Sequence, residues 1–242
     1  MRQSRVYTGQ ALAPGTEITL EAEAGHYLTR VLRLRAGESL VLYNGDGRDY
    51  TAELVSAQRN QVRVRVFARL SAVAESPLDL TLVQAISRGE RMDYSLQKAT
   101  ELGVTALQPL FTERVEVRLE ASRLEKRMAH WRAVIQAACG QCGRATVPVL
   151  KTPLGLEKWL QVPAPGLRLV LTPDAGLSIS ALEPPAVCVE LLVGPEGGLS
   201  EREHERCARF GVLAVAMGPR ILRTETAGPA AIAVLQALFG DF

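Results

Sequence analysis

A change of hydrophobic period across residues 71–76 constrains this chain more than any other feature. Before it, from Val6 to about Leu70, apolar and polar residues alternate in short runs broken by turn residues, as in ESLVLYNGDGRDYTAEL and NQVRVRVFARL. A period of two marks half-buried strands, because successive side chains point to opposite faces of a sheet. Asn44-Gly45 and Asp46-Gly47 supply the turn signal between two such runs. Several short strands in so few residues predict a small β-barrel or sandwich.

After the change, apolar strands alternate with helices. LDLTLVQAI reads as a buried strand, RMDYSLQKATELG as a helix closed by Gly103, and VTALQPLF as the next strand. A long helix is predicted from about Ala121 to Cys139. LRLVLTP, CVELLVGP, the helix SEREHERCARFG, the strand VLAVAMG and a last helix GPAAIAVLQALFG follow, the last opened by Pro229. This order predicts a mostly parallel α/β sheet. SAVAES (71–76), just before Pro77, reads as a linker, giving two domains, 1–72 and 73–242.

Hydrophobic residues at 47% and charged residues at 22% exclude disordered and fibrous classes. MRQSRVYTGQALAPG has no apolar core of a secretory signal, and the longest apolar run, Ala227–Gly240, is interrupted by Gln236 and too short to span a bilayer. With four cysteines and no secretory start, a soluble cytoplasmic protein is expected. A net charge of +2 decides nothing about nucleic acid. The basic set, 24 Arg against 4 Lys, suits phosphates and base edges, or reflects nothing more than genome base composition. Residues 1–70 hold ten Arg and seven acids, so the N-terminal part is the more basic.

The chemistry-bearing residues gather at three strand ends marked by glycine or proline: Leu171-Thr172-Pro173, Gly194-Pro195-Glu196-Gly197-Gly198, and Met217-Gly218-Pro219-Arg220-Ile221-Leu222-Arg223. In open α/β sheets ligands bind beyond the carboxyl ends of strands. Neither GxGxxG nor GxxxxGK[ST] is present, so the loops are not phosphate cradles. They form either a nucleoside-like pocket or ordinary strand-to-helix turns. Ser200 and Glu203 have the spacing of a helix capping box. Cys139 and Cys142 form a CxxC, but a zinc site would need distant Cys188 or Cys207 and a histidine, so no metal is expected.

GPEGGLS, then a strand and MGPRILRTETA, resembles the C-terminal signature of the RsmE-type small-subunit ribosomal RNA uridine-N3 methyltransferases, in the SPOUT superfamily. RGERMDYSLQKATELGVTALQPL (88–110), CGQCGRATVP (139–148) and GHYLTRVLRLRAGESLVLYNGDG (25–47) extend the likeness through the chain. The resemblance implies an N-terminal PUA-like β-barrel and a C-terminal SPOUT α/β domain with a deep trefoil knot. It implies S-adenosylmethionine as cofactor, a homodimer, and N3 of one uridine in 16S ribosomal RNA of the small subunit as target. The cofactor residues it carries over are Leu171, Thr172, Pro173, Gly194, Pro195, Glu196, Gly197, Gly198, Met217, Gly218, Ile221, Leu222, Thr226 and Ala227. The family often has Glu where this chain has Gly140.

Uridine N3 carries a proton between two carbonyls, so its methylation must stabilise a developing imide anion. Arg223 is the candidate for that electrostatic role, with Glu225 orienting it or accepting the proton. For Arg223 the alternative is a structural salt bridge, and for Glu225 a favourable charge at a helix start. Gln141 and Arg144 are candidates for the target base or cofactor, or form a polar turn, and Arg91 is a candidate RNA or interface contact. In the N-terminal part, Arg30, Arg33, Arg63 and Arg65 are candidates for backbone phosphates, or lie on a solvated face. The rival functions are the same fold acting on another ribosomal or transfer RNA nucleotide, and a non-catalytic RNA-binding assembly factor.

Overall fold

A computed structural model of the chain describes residues 4–58, 61–71, 73–115, 121–183 and 188–242. Ala72, in the expected linker, lies outside the described residues. The chain divides into two compact units: one holds the residues up to Glu75 together with Gln136–Val147, the other Ser76–Ile135 and Pro148–Phe242.

The first unit contains β1 (Arg5–Tyr7), β2 (Glu17–Thr19), α1 (Ala22–His26) running into a π-helical turn (Tyr27–Val31), β3 (Ser39–Tyr43), β4 (Arg48–Gln58) and β5 (Gln61–Ser71). The sheet order is β1-β3-β4-β5-β2, with β1 parallel to β3 and the other pairs antiparallel. The alternation seen in the sequence is kept: Tyr50, Ala52 and Leu54 of β4 and Val62, Val64 and Val66 of β5 are buried, while Arg63 and Arg65 between them are exposed. Leu28, Leu40 and Leu42 complete that core. The Asn44–Gly47 turn closes on itself, Asn44 Oδ1 accepting from Asp46 N and Asp46 Oδ1 from Arg48 N. Residues 136–147 join this unit through a small core in which Tyr43, Cys139 and Ala145 pack with Tyr7 and Val147. Arg5 fixes it, donating to the carbonyls of Cys139 and Arg144 while paired with Asp49.

The second unit contains β6 (Asp79–Ala85), α2 (Glu90–Glu101), β7 (Ala106–Phe111), the start of α3 (Ala121–Cys142), β8 (Val149–Leu150), β9 (Leu154–Gly155), α4 (Leu156–Gln161), β10 (Leu167–Leu171), β11 (Cys188–Val193), α5 (Glu201–Arg209), β12 (Leu213–Val215) and α6 (Thr224–Phe239). The strand order is β12-β10-β11-β6-β7-β8, with β9 also on β7, and every pair is parallel. β8, β9 and α4 carry no period long enough to be read from the sequence, and were not anticipated. α2 ends as expected, with Gly103 just beyond it at φ 87°.

α6 departs from expectation. It begins at Thr224, five residues before Pro229, which lies inside the helix. Proline there removes one backbone donor and its ring crowds the carbonyl four residues back, which is why it reads as a boundary. Arg223 carbonyl accepts from the backbone N–H of Thr226 and Ala227, and this earlier turn carries the helix past the proline. At the far end, Gln236 is fully buried and ties α6 down, accepting from Ser76 Oγ at 2.6 Å and donating to Leu102 O at 2.9 Å.

The strands of the parallel sheet are almost continuously apolar, as burial on both faces requires. The buried charged exceptions, Arg168 and Glu190, are register neighbours on β10 and β11. They form a buried ion pair at 2.6 Å, and the Arg168 guanidinium stacks 4.3 Å from the centre of the Trp159 ring. The same register sets Leu171 beside Val215 and Val170 beside Leu192, so β12, β10 and β11 end together. That alignment places the site.

Candidate active site

Loops leaving the carboxyl ends of β10, β11 and β12, together with the first turn of α6, enclose a cavity of about 580 Å³. This size suits a nucleoside-like ligand. The β10 loop is held by Thr172 N donating to Val215 O at 3.0 Å. In the β11 loop, Gly198 N donates to Pro195 O at 2.8 Å, closing a turn that puts Gly198 at φ 67°. Gly218 in the β12 loop sits at φ 69°, and glycine occupies this region without strain. The next residues leave Ile221 84% exposed, an apolar side chain at the cavity rim.

Thr224 joins two of these pieces. Its hydroxyl donates to Gly194 O at 2.7 Å and accepts from Gln84 Nε2 at 3.0 Å. One buried side chain thus ties the start of α6 to the end of β11 and to β6. Nothing in the sequence signals this role, since the partners lie 30 and 140 residues away.

The charges at the rim form a connected set. Arg91, at the start of α2, donates to Glu196 Oε1 at 3.0 Å, and its Nε lies 3.9 Å from Glu225 Oε1. Burial is the largest single influence on Glu196 and pushes its carboxyl up. Hydrogen bonds from its own backbone N–H, from Arg88 N–H and from Arg91, with the Arg91 charge, outweigh burial and hold it below the ordinary value. Arg114 donates to Gly197 O at 2.7 Å, pinning the glycine loop from outside. Arg223 is exposed and lines the cavity, and no ion pair joins it to Glu225 among the described residues. Among the described residues Glu225 pairs with Arg91 instead.

Thirteen of the fourteen residues expected to hold the cofactor line this cavity, as do Arg223 and Glu225. Thr226 is the exception: it points away, exposed, on the first turn of α6. Asp174, Leu199, His204 and Thr224 also line the cavity and were not singled out by the sequence; Arg220, from the third marked loop, lines it too. Arg91, expected at RNA or an interface, is engaged within the site. Gln141 and Arg144 belong to the first unit, where Gln141 is exposed and Arg144 is buried with its guanidinium on Glu75 Oε2 at 2.6 Å. Gly140 is tightly placed: a Cβ there would meet Tyr43 Oη at 3.3 Å. Arg63 and Arg65 both pair with Glu17, whereas Arg30 and Arg33 are exposed on the turn after α1.

S-adenosylmethionine fits the residues present. Thr172 Oγ1 and Glu225 Oε2 are buried without a hydrogen-bond partner, and both residues line the cavity. An unpaired buried polar atom costs about 1–3 kcal/mol, so a polar ligand that completes both is favoured. The mixed charges of the rim suit a zwitterion better than a polyphosphate. Among the described residues no cluster of three His, Cys, Asp or Glu could hold a metal, and no helix is long and apolar enough to cross a membrane. Cys139 is buried, and burial pushes its thiol up to about 12, which disfavours the reactive thiolate there.

Residues 74–236 match the model of an RNA methyltransferase domain, and residues 20–67 that of an RNA methyltransferase PUA domain. The chain is 34% identical to ribosomal RNA small subunit methyltransferase E of Buchnera aphidicola over 99% of its length and 98% of that protein's. Its structure resembles a Legionella pneumophila protein solved in complex with the bound cofactor SAM, with TM-score 0.96, 40% identity and complete coverage of both chains. It also resembles ribosomal RNA small subunit methyltransferase E from Neisseria gonorrhoeae bound to S-adenosylmethionine, with TM-score 0.92, 37% identity and both chains fully covered.

Proposed function

This chain belongs to the ribosomal RNA small subunit methyltransferase E family, and from that premise we propose that it methylates N3 of one uridine in 16S ribosomal RNA. Membership makes it an S-adenosylmethionine-dependent methyltransferase of small-subunit ribosomal RNA. The observation that carries the site assignment is the three-loop cavity with two orphaned buried oxygens, Thr172 Oγ1 and Glu225 Oε2.

The cofactor, when bound, supplies an electrophilic methyl group on its sulfonium. The chain's own residues do the rest. Thr172 and the main chain of Gly194–Gly198 bind and orient the cofactor, and Thr224 fixes the glycine loop that does so. Arg223 offers its guanidinium to the imide anion that develops as N3 loses its proton. Glu225, held by Arg91, accepts that proton; arginine cannot, because it stays protonated at neutral pH. Orientation of the two reactants contributes much of the rate.

The protein works on this reading as a cytoplasmic homodimer on the small subunit, with α6 threaded into a trefoil knot and domains divided at 72/73. Exposed Phe210, Leu213 and Phe242 on the second unit are apolar surface that a dimer would cover. Calorimetric titration with S-adenosylmethionine tests the cofactor half of the proposal: saturable binding supports it, and none removes it. Nucleoside mass spectrometry of ribosomal RNA from a deletion strain tests the target, with loss of one N3-methyluridine expected and an unchanged profile fatal.

A further inference from the structure

The arginines of the first unit are not equivalent. Arg5 is paired with Asp49, Arg144 with Glu75, and Arg63 and Arg65 share Glu17. Hydrogen bonding to Arg65 is the largest influence on Glu17 and, with both arginine charges, holds its carboxyl below the ordinary value. A phosphate approaching β5 must compete with that carboxylate. Arg30, Arg33 and Arg35 are different: all three are exposed, and none has an ion-pair partner among the described residues.

These three lie on one short knuckle, YLTRVLRLR (27–35), and its backbone is unusual. Arg33 is the one described non-glycine residue with a left-handed backbone, at φ 54°. A side-chain-bearing residue there is strained, and strain of this kind is kept only where surrounding structure over-determines it. The surroundings do so. Leu28 is fully buried, and Leu32 and Leu34 pack against the core on either side of Arg33. Leu32 N donates to Tyr27 O and Leu34 N to Leu28 O, both at 3.0 Å. Beneath, Gly25 lets α1 press onto β5, since a Cβ there would stand 2.9 Å from Val62 Cγ2. The turn needs a left-handed residue, which glycine would supply at less cost, yet the chain carries arginine.

What this rigid frame presents outward is three unpaired guanidinium groups with Tyr27, 43% exposed, and Val31, 59% exposed. Guanidinium groups match phosphate oxygens, and an exposed tyrosine ring offers a stacking surface to an unpaired base. We propose that residues 27–35 form the RNA-docking knuckle of this protein, gripping backbone phosphates with Arg30, Arg33 and Arg35 beside a base stacked on Tyr27. The Glu17-neutralised face of β5 contributes little. The inference rests on the reading of the chain as a ribosomal RNA methyltransferase and says where the first unit holds that RNA.

The test compares two variants of equal charge change in the full chain, Arg30→Ala/Arg33→Ala and Arg63→Ala/Arg65→Ala. Binding of a 16S ribosomal RNA fragment is measured across salt concentration, and methyl transfer across RNA concentration. Each phosphate contact to single-stranded RNA contributes ~0.7 to the salt slope, or about fivefold in affinity at 0.1 M salt. The knuckle pair should therefore weaken binding about twentyfold, flatten the slope by about 1.4 and raise KM for RNA, with kcat at saturating RNA and affinity for S-adenosylmethionine unchanged. The β5 pair should cost less than threefold. Arg33→Gly should melt at or above the wild-type temperature while binding RNA more weakly, which a merely structural role for Arg33 would not give. Equal losses from the two pairs overturn the proposal. A knuckle loss seen with assembled subunits but not with protein-free RNA overturns it too, by pointing to a protein partner. Wild-type protein that neither binds nor methylates RNA sinks the underlying reading instead.

Discussion

Replacing Thr224 by valine keeps the side chain's shape and removes only its hydroxyl, so it isolates the clamp between α6, β11 and β6. Two hydrogen bonds are lost, at 2.7 Å to Gly194 O and at 3.0 Å from Gln84 Nε2. Each is worth roughly 1 kcal/mol net, and a buried carbonyl left unsatisfied adds roughly 1–3 kcal/mol. Gln84 Nε2 keeps its bond to Ala85 O, so no such penalty is added for it. The total, about 3–5 kcal/mol, should lower the melting temperature by roughly 6–20 °C for a chain of this size. Because Gly194 opens the glycine loop, affinity for S-adenosylmethionine should also fall about tenfold, or ~1.4 kcal/mol. Thr224→Ser retains the hydroxyl and should bind the cofactor within about twofold of wild type. Thermal unfolding and calorimetric titration of the three proteins read both quantities. A valine variant that melts and binds like wild type would refute the clamp.

Arg223→Ala should cut methyl transfer by about a hundredfold or more while leaving cofactor affinity near wild type, as loss of a group acting only on developing charge does; equal losses in both would assign it to binding. Glu225→Gln should lower the rate and shift its pH profile, since the proposed proton acceptor is gone, and an unaltered profile would remove it from that role. Glu190→Ala strands the Arg168 guanidinium, 4% exposed, beside Trp159 and should cost about 3–5 kcal/mol in denaturant unfolding, whereas Arg168→Met/Glu190→Leu should be far milder. Similar costs for the single and double variants would contradict the stranded-charge argument. Burial pushes the thiols of Cys139 and Cys207 up to about 12 and about 11, against an ordinary value near 9.0. A raised folded value means that their contribution to stability is complete below about pH 9 and is lost as pH rises through 11 to 12. Stability measured from pH 8 to 11 should fall with rising pH, less so after Cys139→Ala and Cys207→Ala, and identical slopes would exclude the thiols.

The elements that could be read from the sequence are those whose burial follows a period. The hairpin of β4 and β5 was visible because Tyr50, Ala52, Leu54, Val62, Val64 and Val66 face one core. β10, β11 and α5 were visible as apolar runs and as a capping box, whose two hydrogen bonds between Ser200 and Glu203 both form. β8 and β9, with two residues each, are too short to show any period. The start of α6 was hidden because Gly228-Pro229 reads as a boundary, while the turn of Thr224–Ala227 is held by Arg223 O and by Thr224's link to β11. The three loops that line the cavity were marked in the sequence by glycine and proline at strand ends. Their meeting depends on the order β12-β10-β11, which only pairing reveals. The pairing of Glu225 with Arg91, and of Arg63 and Arg65 with Glu17, likewise joins residues far apart in the chain. Side-chain type alone therefore marked Arg63 and Arg65 as equal to Arg30 and Arg33, and the structure separates them.

Whether this chain methylates uridine N3 is read directly from a single-turnover reaction of the purified chain with isotopically labelled S-adenosylmethionine and small subunits from a strain lacking this enzyme. The RNA is digested to nucleosides and resolved by mass spectrometry. One labelled N3-methyluridine per subunit is expected, formed about a hundredfold more slowly with Arg223→Ala. Label on another nucleoside would contradict the target, and no label at all, with the cofactor bound, would contradict the enzyme.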